Sequence, residues 1–302
     1  MHPTVERIAG AVGAIILGKD TQIRLSLACL LARGHLLIED VPGVGKTSLA
    51  YVLAKALGLH FQRIQFTSDL LPADILGVAV YERETGQFKF HPGPVFSQVV
   101  LADEVNRATP KTQSALLEAM EENQVTIEGE TRALPKPFFV IATQNPVHQI
   151  GTFPLPESQL DRFLMRIQLG YPDATAERAL LRGADRRRLI ENMEPVIDPA
   201  RLAELQAEVD QVHVSDALLD YAQALIQFSR ESAQFPLGLS PRAALALLHC
   251  SRAWALVHGR AAVMPEDLQA VLPSVVTHRL RGGDEQSVRD PAALLLESVA
   301  LP

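Results

Sequence analysis

The sequence predicts an α/β core built on a parallel sheet with hairpin insertions, followed by an all-helical C-terminal part. Three observations predict it. An apolar strand-like run, His35 to Glu39 (HLLIE), enters the loop DVPGVGKT (Asp40 to Thr47), which opens a helix-like run from Ser48 to Leu57. Strand-like and helix-like segments then alternate up to Leu169, the pattern of parallel strands covered by crossover helices. After Gly170-Tyr171-Pro172 the strand signal ends and helix starts succeed one another to Leu301. The expected division is a core over residues 1–170 and a helical lid over 171–302.

From the N-terminus, one helix is predicted over about Val5 to Leu17 and a second from Asp20. The glycine loop follows the first strand. Gly43 and Gly45 let backbone N–H groups turn inward around phosphate oxygens, and the following helix presents its positive end to the same charge. Lys46 then reaches the β- and γ-phosphates, and Thr47 supplies a hydroxyl to Mg²⁺. The general phosphate-loop pattern begins with Gly where Asp40 stands, so Asp40 is expected to alter loop geometry or affinity modestly, with Pro42-Gly43 making most of the turn.

Alternation predicts a hairpin near Val78 to His91 turning at Thr85-Gly86, and another near Val125 to Leu134 turning at Gly129. Between them the apolar run Val99 to Glu104 (VVLADE) ends in two carboxylates. At the C-terminal end of a buried strand such a pair meets the crevice where open α/β sheets bind ligands. Successive strand side chains point to opposite faces, so Asp103 is expected on the Mg²⁺ side and Glu104 on the attacking water. Thr109 and Pro110 make a helix start, cap then first-turn proline, for the segment through Glu122.

A third strand-like run, Phe138 to Ala142 (FFVIA), leads to Thr143, Gln144 and Asn145 at the same sheet edge. Two readings of Asn145 stay open on spacing alone: an amide that senses the γ-phosphate or its water, or a turn initiator before Pro146. In LPESQLDRF (Leu155 to Phe163) a short helix ends at Asp161-Arg162, where the arginine suits transition-state charge on a phosphoryl group or makes a surface ion pair. Lid helices are predicted to start at Asp173, Asp198-Pro199, Ser215, Ser240-Pro241 and Pro265, and RGGDEQSVRD (Arg281 to Asp290) reads as a mobile loop.

Composition narrows the function classes. The 302 residues with 47% hydrophobic content suffice for two domains, each with its own core. No run is long enough to span a bilayer and MHPTVERIAG lacks the regions of a signal peptide, so a cytoplasmic protein is expected. Cys29 and Cys250 are expected to be small core residues. The net charge of −7 argues against a nucleic-acid groove. Arg178, Arg182 and Arg186, extended by Arg187 and Arg188, form a basic stripe on a predicted helix, read as a solvated face with partners such as Glu177 and Asp185, or as a contact with an acidic partner or neighbouring subunit.

The stretches VPGVGKT, VVLADEVNRA, FVIATQNP, GTFPLPESQLDRF and GLSPRAALAL, in this order, resemble the MoxR family of AAA+ ATPases over about Ile16 to Arg281. The resemblance implies a P-loop core with helical lid, and an ATP and Mg²⁺ site. Gly43, Val44, Gly45, Lys46, Thr47 and Ser48 would bind nucleotide, with Thr47 and Asp103 on Mg²⁺ and Glu104 as catalytic base. It further implies Asn145 as first sensor, Arg162 as an arginine finger on a neighbour's nucleotide, and Arg242 as the second sensor reporting nucleotide state to the lid. The family implies a homo-oligomeric ring, expected hexameric, that matures a protein client, often beside a protein with a von Willebrand factor A domain. Alternatives are the motor subunit of a metal chelatase and a low-turnover nucleotide-dependent scaffold.

Overall fold

A computed structural model describes residues 1–145, 152–183, 186–280 and 290–301. Two helices, α1 (Pro3–Gly13) and α2 (Asp20–Leu31), precede the first strand, β1 (Leu36–Glu39). Helix α3 (Lys46–Ala56), strand β2 (Phe61–Gln65) and a short helix α4 (Pro72–Leu76) lead to the first hairpin, β3 (Gly77–Glu82) and β4 (Gln87–Pro92). Strand β5 (Val99–Asp103), helix α5 (Pro110–Glu122), the second hairpin β6 (Gln124–Ile127) and β7 (Glu130–Ala133), and strand β8 (Phe139–Gln144) follow. The last strand is β9 (Met165–Ile167), after helix α6 (Glu157–Leu160).

Strands β2, β5, β8, β1 and β9 form one sheet in that order, all pairs parallel. Because side chains alternate along a strand, the sheet splits its apolar residues between two cores. Leu36, Ile38, Leu101 and Ile141 face α1, α2 and α3, whereas Leu37, Val100, Val140 and Ala142 face α5. Strand ends β1, β5 and β8 therefore finish at the same sheet edge, Glu39 beside Gln144 and Leu101 beside Ile141.

Beyond β9 the chain is helical: α7 (Ala174–Arg182), α8 (Arg186–Glu191), α9 (Pro199–Gln211), α10 (Asp216–Glu231), α11 (Pro241–Val257), α12 (Pro265–Val276) and α13 (Pro291–Ser298). The predicted starts hold for a physical reason. Asp173, Asp198, Ser215 and Ser240 each accept the N–H of the residue three positions on, closing one of the donors a helix leaves unpaired. Thr109 does the same for α5.

Two expectations are corrected. Separate cores were expected, yet one apolar cluster runs from the sheet through α2 into α9, α11 and α12. Helix α2 is buried on every side from Ile23 to Leu31, and Gln206 Nε2 donates to Leu30 O at 2.9 Å, so it serves core and lid alike. The basic stripe does not run along one helix. Helix α7 ends at Arg182 because Gly183 takes an extended backbone, and α8 begins anew at Arg186; Asp185 and the Arg281 to Arg289 part of the proposed mobile loop lie outside the described residues.

His35 ties three elements together. Its Nδ1 accepts the Val140 N–H at 2.9 Å and Nε2 donates to Met120 O at 3.2 Å, which fixes the neutral ring. Desolvation pushes its pKa down to about 4. Between pH 6.5 and about 4 the unfolded chain therefore binds a proton that the folded protein refuses, so stability is complete above pH 6.5 and falls as pH drops. The expected loss is up to ~3 kcal/mol, since a tenfold difference in proton affinity between the folded and unfolded chain corresponds to about 1.4 kcal/mol. Thermal melts at pH 7.5 and 5 test it: His35→Gln should flatten the slope, and an unchanged slope would place the titration elsewhere.

Candidate functional site

The loop between β1 and α3 is shaped by Gly43 and Gly45, whose φ of 86° and 95° only glycine adopts without strain. Lys46 is buried, and its Nζ donates to Asp40 O at 2.5 Å, Asn145 Oδ1 at 3.0 Å and Gln144 O at 3.5 Å. Desolvation lowers its pKa, opposed by Asp40, Asp103, Glu104 and Glu39. Three oxygen acceptors around an ammonium group are the positions phosphate oxygens can take over.

Asp40 is tied in through its side chain. Its backbone is not left-handed, so the missing glycine is not felt as strain. Its carboxylate instead accepts Val41 N at 2.7 Å, Leu169 N at 2.7 Å and Gly170 N at 2.6 Å. The phosphate loop is thereby fastened to the segment that leaves the sheet for the helical part.

The two acidic residues diverge, but not by strand alternation. Strand β5 stops at Asp103, and Glu104 turns away in the left-handed region with φ 56°. Such a backbone on a non-glycine residue is costly and clusters at functional sites. Asp103 is buried: Oδ1 accepts the Thr143 hydroxyl at 2.6 Å, and Oδ2 accepts the Thr47 hydroxyl at 3.3 Å. Arg63 donates to the same Oδ2 through Nε at 3.0 Å and Nη2 at 2.6 Å. Glu104 Oε1 accepts Asn145 Nδ2 at 3.0 Å, and Oε2 accepts Gln65 Nε2 at 3.1 Å and Arg107 Nε at 3.0 Å. Asn145 thus joins Lys46 to Glu104, and Thr143 joins the two acids by also accepting Glu104 N at 2.9 Å.

These groups line a cavity of about 540 Å³, from Pro42 and Ser48 across to Gln65 and Asn145. The donors fit Mg²⁺, which takes few protein ligands and only hard oxygens, here the Thr47 hydroxyl facing Asp103 Oδ2. A second cavity of about 240 Å³ shares Gly43, Gly45 and Ser48 and is lined by Ile15, Ile16, Leu17, Val44, Pro172, Leu180 and Ile190. Apolar walls joined to a polar phosphate cavity suit a flat heteroaromatic base. Sequence reasoning missed this pocket; its local signal is Ile15-Ile16-Leu17 before Gly18, which turns at φ 66°.

Arg162 and Arg242 are placed elsewhere. Both pair with Glu121 of α5, Arg162 at 2.8 Å, and Arg162 also donates to Leu117 O at 2.5 Å. They line a cavity of about 190 Å³ that has no residue in common with the other two. Arg242, expected as the second sensor, does not line the cavity of the phosphate loop. The cause is a clamp: Arg279 holds Asp161 Oδ1 at 2.7 Å and the carbonyls of Phe163 and Leu164, and Asp161 Oδ2 accepts the Ser240 hydroxyl at 3.1 Å. The start of α11 is thus pinned against the Arg162 turn.

A glycine loop, an acidic strand end and an asparagine-bearing strand end meeting at one edge of a parallel sheet, with a helical part appended, define a P-loop nucleotide-binding protein of the AAA+ class. Residues 35–165 match the ATPase family associated with various cellular activities (AAA), and residues 227–297 match the AAA lid domain. The chain is 47% identical to the uncharacterised protein YeaC of Bacillus subtilis, over 93% of this chain and 88% of that protein. It is 40% identical to Chaperone MoxR1 of Mycobacterium tuberculosis (99% and 82% covered) and 34% identical to Protein MoxR of Paracoccus denitrificans (92% and 89%). A crystal structure of a candidate ATPase from Cytophaga hutchinsonii superposes with a TM-score of 0.88 at 37% identity, covering 100% of this chain and 96% of that one. The chain belongs to the MoxR family of AAA+ ATPases.

Proposed function

We propose that this protein hydrolyses ATP with Mg²⁺ at sites completed between subunits of a ring, expected hexameric, and uses the cycle to remodel a protein client. The observation that carries this reading is the separation of parts. Lys46, Thr47, Asp103, Glu104 and Asn145 surround one cavity, while the two arginines suited to transition-state charge stand on another surface. A neighbouring copy offering that surface would bring these two arginines to a cavity whose own Arg63 is bound to Asp103.

In this reading residues 1–170 form the catalytic core and 171–302 the lid. Gly43 to Ser48 cradle the phosphates, Lys46 exchanges the Asp40 and Asn145 oxygens for phosphate oxygens, and Thr47 with Asp103 would hold Mg²⁺, which would supply neutralisation of phosphate charge. Glu104 orients a water and takes its proton as the water oxygen bonds to the γ-phosphorus and the bond to ADP breaks. Asn145, bonded to both Lys46 and Glu104, positions that carboxylate against the phosphate. Arg162 and Arg242 act together on the neighbour's γ-phosphate.

Two features support the remodelling role. One relative is named a chaperone, and the strands of the first hairpin carry Val80, Tyr81 and Phe88 exposed, the last to 70%, an apolar flank beside the charged turn against which a protein segment can pack. A partner with a von Willebrand factor A domain, metal-cofactor insertion as the pathway and the cytoplasm as the compartment belong to the same proposal. No helix among the described residues is long and apolar enough to cross a membrane. The test is the Mg²⁺–ATP hydrolysis rate per subunit over a wide range of protein concentration. It should climb and then level off as sites assemble; a rate independent of concentration down to the monomer would refute sites shared between subunits.

A further inference from the structure

Arg63 belongs to none of the phosphate-site motifs, yet its guanidinium lies against the oxygen on which the metal position depends. It sits on β2, one of the two edge strands of the sheet, two residues before Gln65, which is in register with Asp103. Nε and Nη2 donate to Asp103 Oδ2 at 3.0 and 2.6 Å, and Nη2 also reaches Gln65 Oε1 at 2.7 Å. The Thr47 hydroxyl donates to that same Oδ2, while Oδ1 is occupied by Thr143. The Asp103 side chain is 8% exposed and that of Arg63 49% exposed. A buried carboxylate requires a counter-charge, and Arg63 is its ion-pair partner.

On the reading that Mg²⁺ and nucleotide occupy this cavity, we propose that Arg63 is the resident counter-cation of the site and competes with Mg²⁺ for Oδ2 of Asp103. Mg²⁺ demands oxygens at about 2.1 Å in near-octahedral order. An oxygen already taken by two guanidinium donors and a hydroxyl has no free lone pair for it, and two cations on one oxygen repel. Arg63 can withdraw: it is half in solvent at the sheet edge, and Gln65 Oε1 already holds one of its donors. Metal arrival and departure of the guanidinium are therefore one exchange. Without metal, Arg63 keeps the paired carboxylates of Asp103 and Glu104 from confronting the phosphates uncompensated.

The exchange predicts two shifts of opposite sign in Arg63→Gln, read by binding of a fluorescent, non-hydrolysable ATP analogue. The Mg²⁺ concentration for half-maximal binding should fall by about tenfold, the factor that accompanies loss of one charge-assisted hydrogen-bonded competitor. In excess EDTA the analogue should bind several-fold more weakly than to the unsubstituted protein. Arg63→Lys, which keeps the charge without the fork, should fall between and carries the test if Arg63→Gln does not fold. An unchanged or raised Mg²⁺ requirement in the variants would overturn the exchange and leave Arg63 as a brace for Asp103. Failure of the unsubstituted protein to bind the analogue at any Mg²⁺ concentration would instead overturn the nucleotide-site reading.

Discussion

Glu104→Gln is expected to lower ATP turnover by about 10²- to 10⁴-fold, the range for loss of a positioned general base. Nucleotide affinity should stay within a few-fold, because nothing that binds phosphate is touched: Lys46, Thr47 and the glycine backbone are intact. The backbone also argues for a clean substitution. Glu104 is already in the left-handed region, and a glutamine there meets the same strain. Its amide oxygen can still accept from Asn145 Nδ2, while the partners on the other carboxylate oxygen, Gln65 and Arg107, lose an acceptor at the exposed side. The fold should therefore survive while the proton acceptor is gone. Equal turnover in variant and unsubstituted protein would remove Glu104 from the chemistry; loss of binding would make it part of the phosphate cradle.

Arg162→Ala is expected to be as severe, about 10³-fold or more in turnover, the magnitude of an arginine supplied to a phosphoryl-transfer site. Among the described residues the side chain reaches only the neighbouring helix α5 of its own subunit. It pairs with Glu121 and donates to Leu117 O, interactions whose loss costs about 1 kcal/mol or less for a partly exposed pair. Stability and nucleotide binding should thus stay close to those of the unsubstituted protein. Arg242→Ala should reduce turnover in the same direction, because Arg242 shares Glu121 and the same surface with Arg162. A variant of either arginine with undiminished turnover would reduce that residue to a structural ion pair.

How far this site could be read from sequence depended on how locally each part is determined. The phosphate loop, the VVLADE strand end and Asn145 lie in short segments whose glycine positions, apolar runs and strand ends dictate both backbone and direction, and the structure brings all of them to one cavity. Helix starts were legible for the same reason, since Asp173, Asp198, Ser215 and Ser240 act on N–H groups three residues away. What failed was long-range. The apolar cavity beside the phosphate loop joins Ile16 to Leu180 and Ile190, three segments with no shared periodicity. Arg63 sits on a five-residue edge strand of which only Ile64 is buried, so no alternation singled it out. The destination of Arg242 was set by Arg279 and Asp161, which fasten α11 to the turn after α6, and by α2, whose all-round burial merges the lid with the core. Asp40 was legible as a departure from the glycine pattern, but its function needed Leu169 and Gly170, distant in sequence and adjacent in space.

In the proposed ring each active site takes its phosphate-binding half from one subunit and its arginines from the next. Mixing Arg162→Ala with Lys46→Ala separates these halves, with co-assembly verified by capture through a tag on one of the two. Each variant alone should be inactive, one lacking the arginine and the other the phosphate-binding lysine. In the mixture, an Arg162→Ala subunit beside a Lys46→Ala subunit has both halves, so ATP hydrolysis should reappear and peak at intermediate ratios. Mixed assemblies that stay inactive at every ratio would contradict a site shared between subunits.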